Sequence, residues 1–264
     1  MKDSLSLEGR VALITGGGSG IGRASAIAFS EHGARLFLVD REAQRLIDIA
    51  EELRAKGSEI ETATADIADA EQIKSAIDGC VERFGRLDIL YANAGINGVW
   101  APIEELTPEE FDETISVNVR GTFLTIKYAV PHLKAHGGSV LVTSSVNGTR
   151  TFSNSGATAY SASKAAQVAM VKMLAVELGL YRIRVNVICP GATQTNIGKN
   201  TESRGTERIK VPVKYPDGTS PLRGKTVGTS EQVGRLALFL VSDLADHITG
   251  EVVYIDAGSS LVVG

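Results

Sequence analysis

Little in this sequence can cross-link, hold a soft metal or span a membrane. Only two cysteines occur in 264 residues, Cys80 and Cys189. Both stand among apolar neighbours, too isolated for a disulfide framework or a thiolate site, and read as small buried hydrophobes. Histidines number four. His132 and His136 share a helical spacing, but Leu133 stands where the zinc-protease pattern carries glutamate and a third ligand is missing, so no metal is expected. No apolar run reaches the ~18 residues of a membrane-spanning helix. The polar segment 1–10 lacks the apolar core of a signal peptide, so a cytoplasmic protein without a membrane partner is expected. A net charge of −4 provides no basic field for nucleic acid. Proline is scarce, at seven residues, and no proline-rich or low-complexity linker divides the chain. Residues 1–264 are therefore expected to form one domain.

What is present is rhythm. Short β-branched runs at 11–15, 36–39, 60–64, 87–91, 139–143, 184–188 and 251–255 read as about seven strands. Their nearly continuous hydrophobicity suits strands covered on both faces of a parallel sheet. Helical patterns alternate with them at 21–32, 43–56, 70–84, 108–134, 159–180 and 230–240. This alternation predicts an α/β fold, a Rossmann-like doubly wound parallel sheet with helices on both faces. Residues 197–230 break the rhythm, being poor in apolar residues and interrupted by Pro212, Pro216 and Pro221. Such a stretch reads as a substrate-binding lid, or more blandly as a surface excursion.

The first strand runs into Gly16, Gly17, Gly18, Ser19, Gly20, Ile21 and Gly22, and a helix follows. Glycines let backbone N–H groups approach a pyrophosphate, and a helix N-terminus favours its charge. The spacing departs from the usual dinucleotide fingerprint, and a tight turn alone would also need glycine. Asp40 ends the second strand 18 positions after Gly22. A carboxylate there can accept hydrogen bonds from an adenosine ribose and repels a 2′-phosphate, which favours NAD over NADP. Arg41 follows it and pulls the other way, and NADP stays possible. Asp40 could equally serve as a helix cap.

Tyr160 and Lys164 stand four apart at the start of a long helical pattern, on one face. A phenol is a poor base at neutral pH, and a neighbouring ammonium lowers its pKa. The pair can therefore act as acid and base in an alcohol–carbonyl interconversion. Alone, the spacing is common by chance.

Together the glycine turn, Asp40 and the Tyr160–Lys164 pair resemble the short-chain dehydrogenase/reductase family, of the single-domain type of ~250 residues, over essentially the whole chain. Further pieces fall in order. Asp66 and Ile67 resemble the family's adenine-contacting pair. Asn93, Ala94 and Gly95 resemble its Asn-Asn-Ala-Gly element, with Ala92 in place of the first asparagine. Asn118 matches the asparagine of its proton-relay helix, and Ser145 its catalytic serine. Pro190, Gly191, Thr193 and Thr195 resemble the loop that holds the nicotinamide carboxamide, and Asn186 and Asp256 complete the pattern. The resemblance implies NAD as cofactor, a small alcohol or carbonyl as substrate, and a homotetramer or homodimer. It implies Tyr160 as general acid/base, Ser145 on the substrate oxygen, and Lys164 on the nicotinamide ribose. Asn118 would position the water that carries protons onward from Lys164. Two residues more than the family spacing separate Ser145 from Tyr160. Ser144 is the alternative serine, although Gly148 keeps the register with Ser145.

Competing readings are weaker. A serine hydrolase would need flanking glycines that Ser145 lacks. An epimerase or dehydratase sharing the Tyr–Lys pair often carries a larger C-terminal substrate domain. A catalytically idle NAD-binding regulatory or scaffold protein would need none of Ser145, Tyr160 and Lys164. Candidates to line the substrate pocket are Asn97, Trp100, Asn147, Thr149, Phe152 and Gly191. Lys199, Arg204, Arg208, Lys210, Lys214, Arg223 and Lys225 outnumber the lid's acids and suggest an anionic substrate, against the plainer reading of a solvated loop.

Overall fold

The computed structural model describes residues 5–195, 197–198, 201–211, 221–222 and 227–262. Strands and helices alternate along them: β1 (Val11–Thr15), α1 (Gly20–Glu31), β2 (Arg35–Asp40), α2 (Ala43–Ala55), β3 (Ile60–Thr64), α3 (Ala70–Phe84) and β4 (Ile89–Ala92). A short β5 (Gly98–Trp100) and α4 (Pro108–Ile115) lead through a π-helical turn at Ser116–Gly121 into α5 (Thr122–Leu133). Next come β6 (Gly138–Thr143), α6 (Thr158–Gly179), β7 (Ile183–Pro190), β8 (Thr193–Gln194) and β9 (Thr201–Ser203). The chain continues with β10 (Gly228–Thr229), α7 (Ser230–Val241), β11 (Val252–Ile255) and α8 (Ser259–Val262).

Seven strands form one sheet in the order β11-β7-β6-β4-β1-β2-β3, every neighbour parallel. This is the expected Rossmann-like sheet, and all seven strand positions inferred from hydrophobicity are occupied. The alternation of side chains along β1 explains its two-sided burial. Val11 and Leu13 join one core with residues of α3, α5 and α6. Ala12 and Ile14 join the other, with α1, α2 and α7. After β3 the chain crosses back to lay β4 on the far side of β1. The connections that leave the carboxyl ends of β1 and β4 therefore run in opposite directions, which opens a crevice at the switch point.

The expected helix at 108–134 is three pieces. Thr107 caps α4 with a reciprocal box to Glu110, and the π turn then interrupts the helix around Asn118. A π turn widens the backbone and turns a carbonyl away from its helical partner, a feature that sequence periodicity does not reveal.

The turn after β1 is held by close backbone approach. Gly16 has φ +66°, a conformation glycine adopts without strain. Gly22 is buried, and a Cβ there would run into the Gly16 carbonyl oxygen. Gly22→Ala is expected to push α1 off the turn, lowering the melting temperature by several degrees and weakening dinucleotide binding at least tenfold. Calorimetry and cofactor titration check it; an unchanged melting curve and affinity would refute this packing role.

Candidate active site

A cleft of about 1010 Å³ runs along the carboxyl ends of the strands, at the upper end of what small-molecule sites occupy. Around it stand Gly16, Ser19, Gly20, Ile21, Asp40, Arg41, Asp66, Ile67, Asn93, Ala94, Gly95, Pro190, Gly191, Thr193 and Thr195, with Ser145, Tyr160 and Lys164. Two of the expected site residues are not among its walls. Gly22 is packing beneath the turn. Asn118 is fully buried and spends its side chain on the loop after β4, accepting from Ile96 N at 2.8 Å and donating to Ile96 O at 2.8 Å and Ser163 Oγ at 2.9 Å.

The nucleotide end fits an anionic dinucleotide. Ser19 is the N-cap of α1 but makes no side-chain capping bond, so the first-turn amides lack that partner at the mouth of the glycine turn. Asp40 is nearly buried. It accepts from Gly18 N and from Glu42 N, both at 3.1 Å, so it braces the turn and the entry to α2 together. Arg41 is exposed, with a loose approach to Glu42 at 4.0 Å. Arg45 also lines this rim. It supplies the second basic residue that was not anticipated, one helical turn after Arg41. Asn93 uses its side chain as a brace, donating to Thr15 O at 3.1 Å and accepting from Thr143 Oγ at 3.0 Å. Ala92 is buried in the apolar core, so the missing polar side chain lies away from the cleft.

At the other end, Tyr160 and Lys164 rise from the first turns of α6 and Ser145 from the end of β6. Ser144 is committed elsewhere, donating to Lys164 O at 2.7 Å. Ser145 is the serine at the Tyr160 phenol, and it also accepts from Asn147 N at 3.2 Å. Burial pushes the Tyr160 phenol above its ordinary range, only partly offset by Ser145. The net direction is thus opposite to the lowering expected from Lys164, because desolvation dominates. Desolvation also brings the Lys164 ammonium down to about 8. Lys164 donates to Thr143 O and to Gln167 Oε1, each at 3.0 Å. Its Nζ lies 5.6 Å from the Tyr160 ring centre. Cys189 close by is an inert thiol, pushed up to about 11 by burial.

Gln167 was missed by sequence reasoning. It lies three residues after Lys164 and seven after Tyr160, a polar residue on the buried face of α6; that spacing was the available signal.

The substrate end differs from expectation along one loop. Thr149 is bonded to Tyr254 OH at 2.8 Å, and Phe152 is 69% exposed. Thr151, Ser153 and Asn154 line the cleft instead, joined by Asn97, Trp100 and Asn147 as expected. Trp100 sets its ring 6.3 Å from that of Tyr160. The described part of the 197–230 segment is fastened down. β9 pairs with β5, Arg204 binds Glu110 at 2.9 Å and Glu105 O at 2.6 Å, and Arg208 binds Glu105. These two cations are therefore spent on acids of the scaffold, and Lys210 is not among the residues facing the cleft. Lys199, Pro212, Lys214, Pro216, Arg223 and Lys225 lie outside the described residues.

Comparison with known proteins agrees with this geometry. A family model described as enoyl-(acyl carrier protein) reductase matches residues 16–260. Levodione reductase of Leifsonia aquatica is 37% identical over 95% of this chain and 94% of its own. The crystal structure of a 3-ketoacyl-ACP reductase from Sinorhizobium meliloti 1021 superposes with TM-score 0.92 at 51% identity, over 95% of this chain and 99% of that one. A 3-ketoacyl-(acyl-carrier-protein) reductase from Brucella melitensis, solved with NADH, gives 0.84 at 32% identity, over 97% and 100%. The chain belongs to the short-chain dehydrogenase/reductase family and is an oxidoreductase of the alcohol–ketone couple.

Proposed function

We propose that this protein is an NAD-dependent oxidoreductase that interconverts a neutral, polar secondary alcohol and its ketone, with Tyr160 as general acid/base. One observation carries the reading: a buried phenol beside the Ser145 hydroxyl, one helical turn from a buried ammonium, at the wall of a cleft whose far end fits a dinucleotide. When bound, the nicotinamide would supply or receive the hydride. NADH bound to the Brucella relative supports the cofactor class.

The protein's own groups manage the proton. Because burial raises the Tyr160 phenol, it is protonated at neutral pH and poised to donate to a substrate carbonyl oxygen. Ser145 donates to the same oxygen and steadies its developing charge. In the oxidation direction Tyr160 must first lose its proton, and the Lys164 ammonium opposes that cost electrostatically. An idle binding protein would need neither group, so an active enzyme is the better reading. Of the 197–230 segment, the described residues around β9 would form a fixed bank at the substrate end. Exposed Met173, Val176 and Leu180 at the end of α6 support assembly into a homodimer or homotetramer.

The substrate's character follows from the lining. Asn147 is 6% exposed, its side chain makes no hydrogen bond among the described residues, and it lines the cleft two residues after Ser145. Its amide opens onto the cleft, and a substrate that displaces the water there should supply a polar partner near the reacting carbon, since a carboxamide left unpaired costs about 1–3 kcal/mol. Asn147→Leu is expected to lower kcat/KM on a hydroxylated ketone at least tenfold while leaving an unhydroxylated analogue nearly unchanged. Equal losses on both would remove this assignment.

A cofactor-reduction screen over secondary alcohols is the direct test. Tyr160→Phe should lower turnover roughly 100-fold or more at nearly unchanged cofactor affinity. For the wild type, kcat/KM for oxidation should climb with pH, while reduction holds through neutrality and falls on the alkaline side. Turnover of the phenylalanine variant near the wild-type rate would sink the assignment.

For the cofactor, Asp40→Ala should shift the NADP-to-NAD ratio of kcat/KM upward at least tenfold, since Arg41 and Arg45 then face the 2′-phosphate unopposed. An unchanged ratio would show that Asp40 does not set the preference.

A further inference from the structure

Behind Lys164 the protein is closed by a side chain. Gln167 is fully buried. Its Oε1 accepts from Lys164 Nζ at 3.0 Å, and its Nε2 donates to Asn118 O and to Thr122 Oγ, each at 2.8 Å. Thr122 Oγ in turn donates to the same Asn118 carbonyl at 2.7 Å. Both lone pairs of that carbonyl are thus met by protein side-chain donors. Both amide protons of Gln167 are used as well. Lys164 has a second acceptor in Thr143 O, which leaves one of its three N–H groups for the cleft.

We infer that Gln167 is a positioning residue, which aims the Lys164 ammonium at the cleft and seals the passage from Lys164 to the Asn118 carbonyl against water. The inference rests on the acid/base reading of Tyr160 and Lys164 and changes one part of it. A carboxamide accepts at oxygen and donates at nitrogen, but it does not hand a proton from one side to the other at neutral pH. The water relay expected through Asn118 has no place here. The proton that Tyr160 gains or loses therefore exchanges on the cleft side of Lys164.

The electrostatic surroundings make Gln167 a sensitive position. The titratable groups facing Lys164 are Tyr160 on its own helix and Cys189 at the end of β7. The end of β6 contributes the neutral Thr143 carbonyl, Ser144 bonds the backbone carbonyl of Lys164, and the π turn and α5 contribute the neutral Asn118 and Thr122 behind Gln167. No carboxylate among the described residues hydrogen-bonds the ammonium, so a charge placed at residue 167 would act on it almost unscreened.

The test is to titrate Lys164 by its ¹³Cε resonance in the full-length protein without cofactor, for wild type, Gln167→Glu and Gln167→Met. The glutamate should raise the lysine midpoint by at least one pH unit. The methionine, which keeps the length and removes the acceptor, should lower it by half a unit or more. In the glutamate variant, the rise of kcat/KM for oxidation should move to higher pH by a comparable amount, because the ammonium's field on Tyr160 is cancelled. Exchange of the Lys164 ammonium protons with solvent should quicken at least tenfold in Gln167→Ala, where a water can take the vacated polar site. Lysine midpoints within 0.3 unit of wild type in folded Glu and Met variants would overturn the positioning role. Unchanged proton exchange in the alanine variant would overturn the seal. Because the titration needs no turnover, it stands apart from the activity screen: an inactive wild type would indict the acid/base reading and leave the lysine midpoints to judge Gln167.

Discussion

A buried ammonium organises the reacting end of this molecule. Lys164 is 3% exposed, and its charge is tolerated because neutral acceptors come to it from two directions, the end of β6 and the next turn of α6. Those acceptors are themselves fixed. Thr143 ends the central strand pair and bonds Tyr91 and Asn93, while Gln167 is pinned to the π turn. Asn118 carries the tie onward to the loop after β4 through Ile96. The position of one nitrogen therefore depends on the sheet, on α6 and on the π turn between α4 and α5. A group so placed pays heavily in lost hydration, and the structure answers with geometry and not with a counter-charge.

The fold was legible because hydrophobic rhythm and burial coincide. A run such as 11–15 is buried on both faces since helices cover both sides of the sheet, the arrangement that suits a parallel strand. Glycines and the Tyr160–Lys164 spacing were legible for a similar reason, being local constraints written in neighbouring residues. What escaped were contacts between distant elements. Asn118 looked like a residue at the site, but only the structure shows its side chain turned to Ile96 and its carbonyl filled by Gln167. Phe152 and Thr149 were expected at the substrate end, yet alternate residues of the same loop face the cleft. A loop without regular periodicity gives no sign of which side faces inward.

Charge was read least well. The basic residues of the 197–230 segment left an anionic substrate open beside the plainer reading of a solvated loop; among those described, Arg204 and Arg208 are neutralised by Glu110 and Glu105 from the region around α4. Their sequence separation, close to one hundred residues, hides the pairing. For Tyr160 the net direction is upward, against the lowering expected from Lys164, since proximity in sequence says nothing about how much water two groups lose.

Fastening by Arg204 has a mechanical meaning for the cleft. The guanidinium spans from the end of β9 to the first turn of α4, and that helix continues into the π turn on which Gln167 is braced. One rigid path thus joins the wall that receives substrate to the support beneath the ammonium. Loosening the outer wall at Arg204 would slacken both at once, coupling substrate fit to proton transfer without either group touching the other.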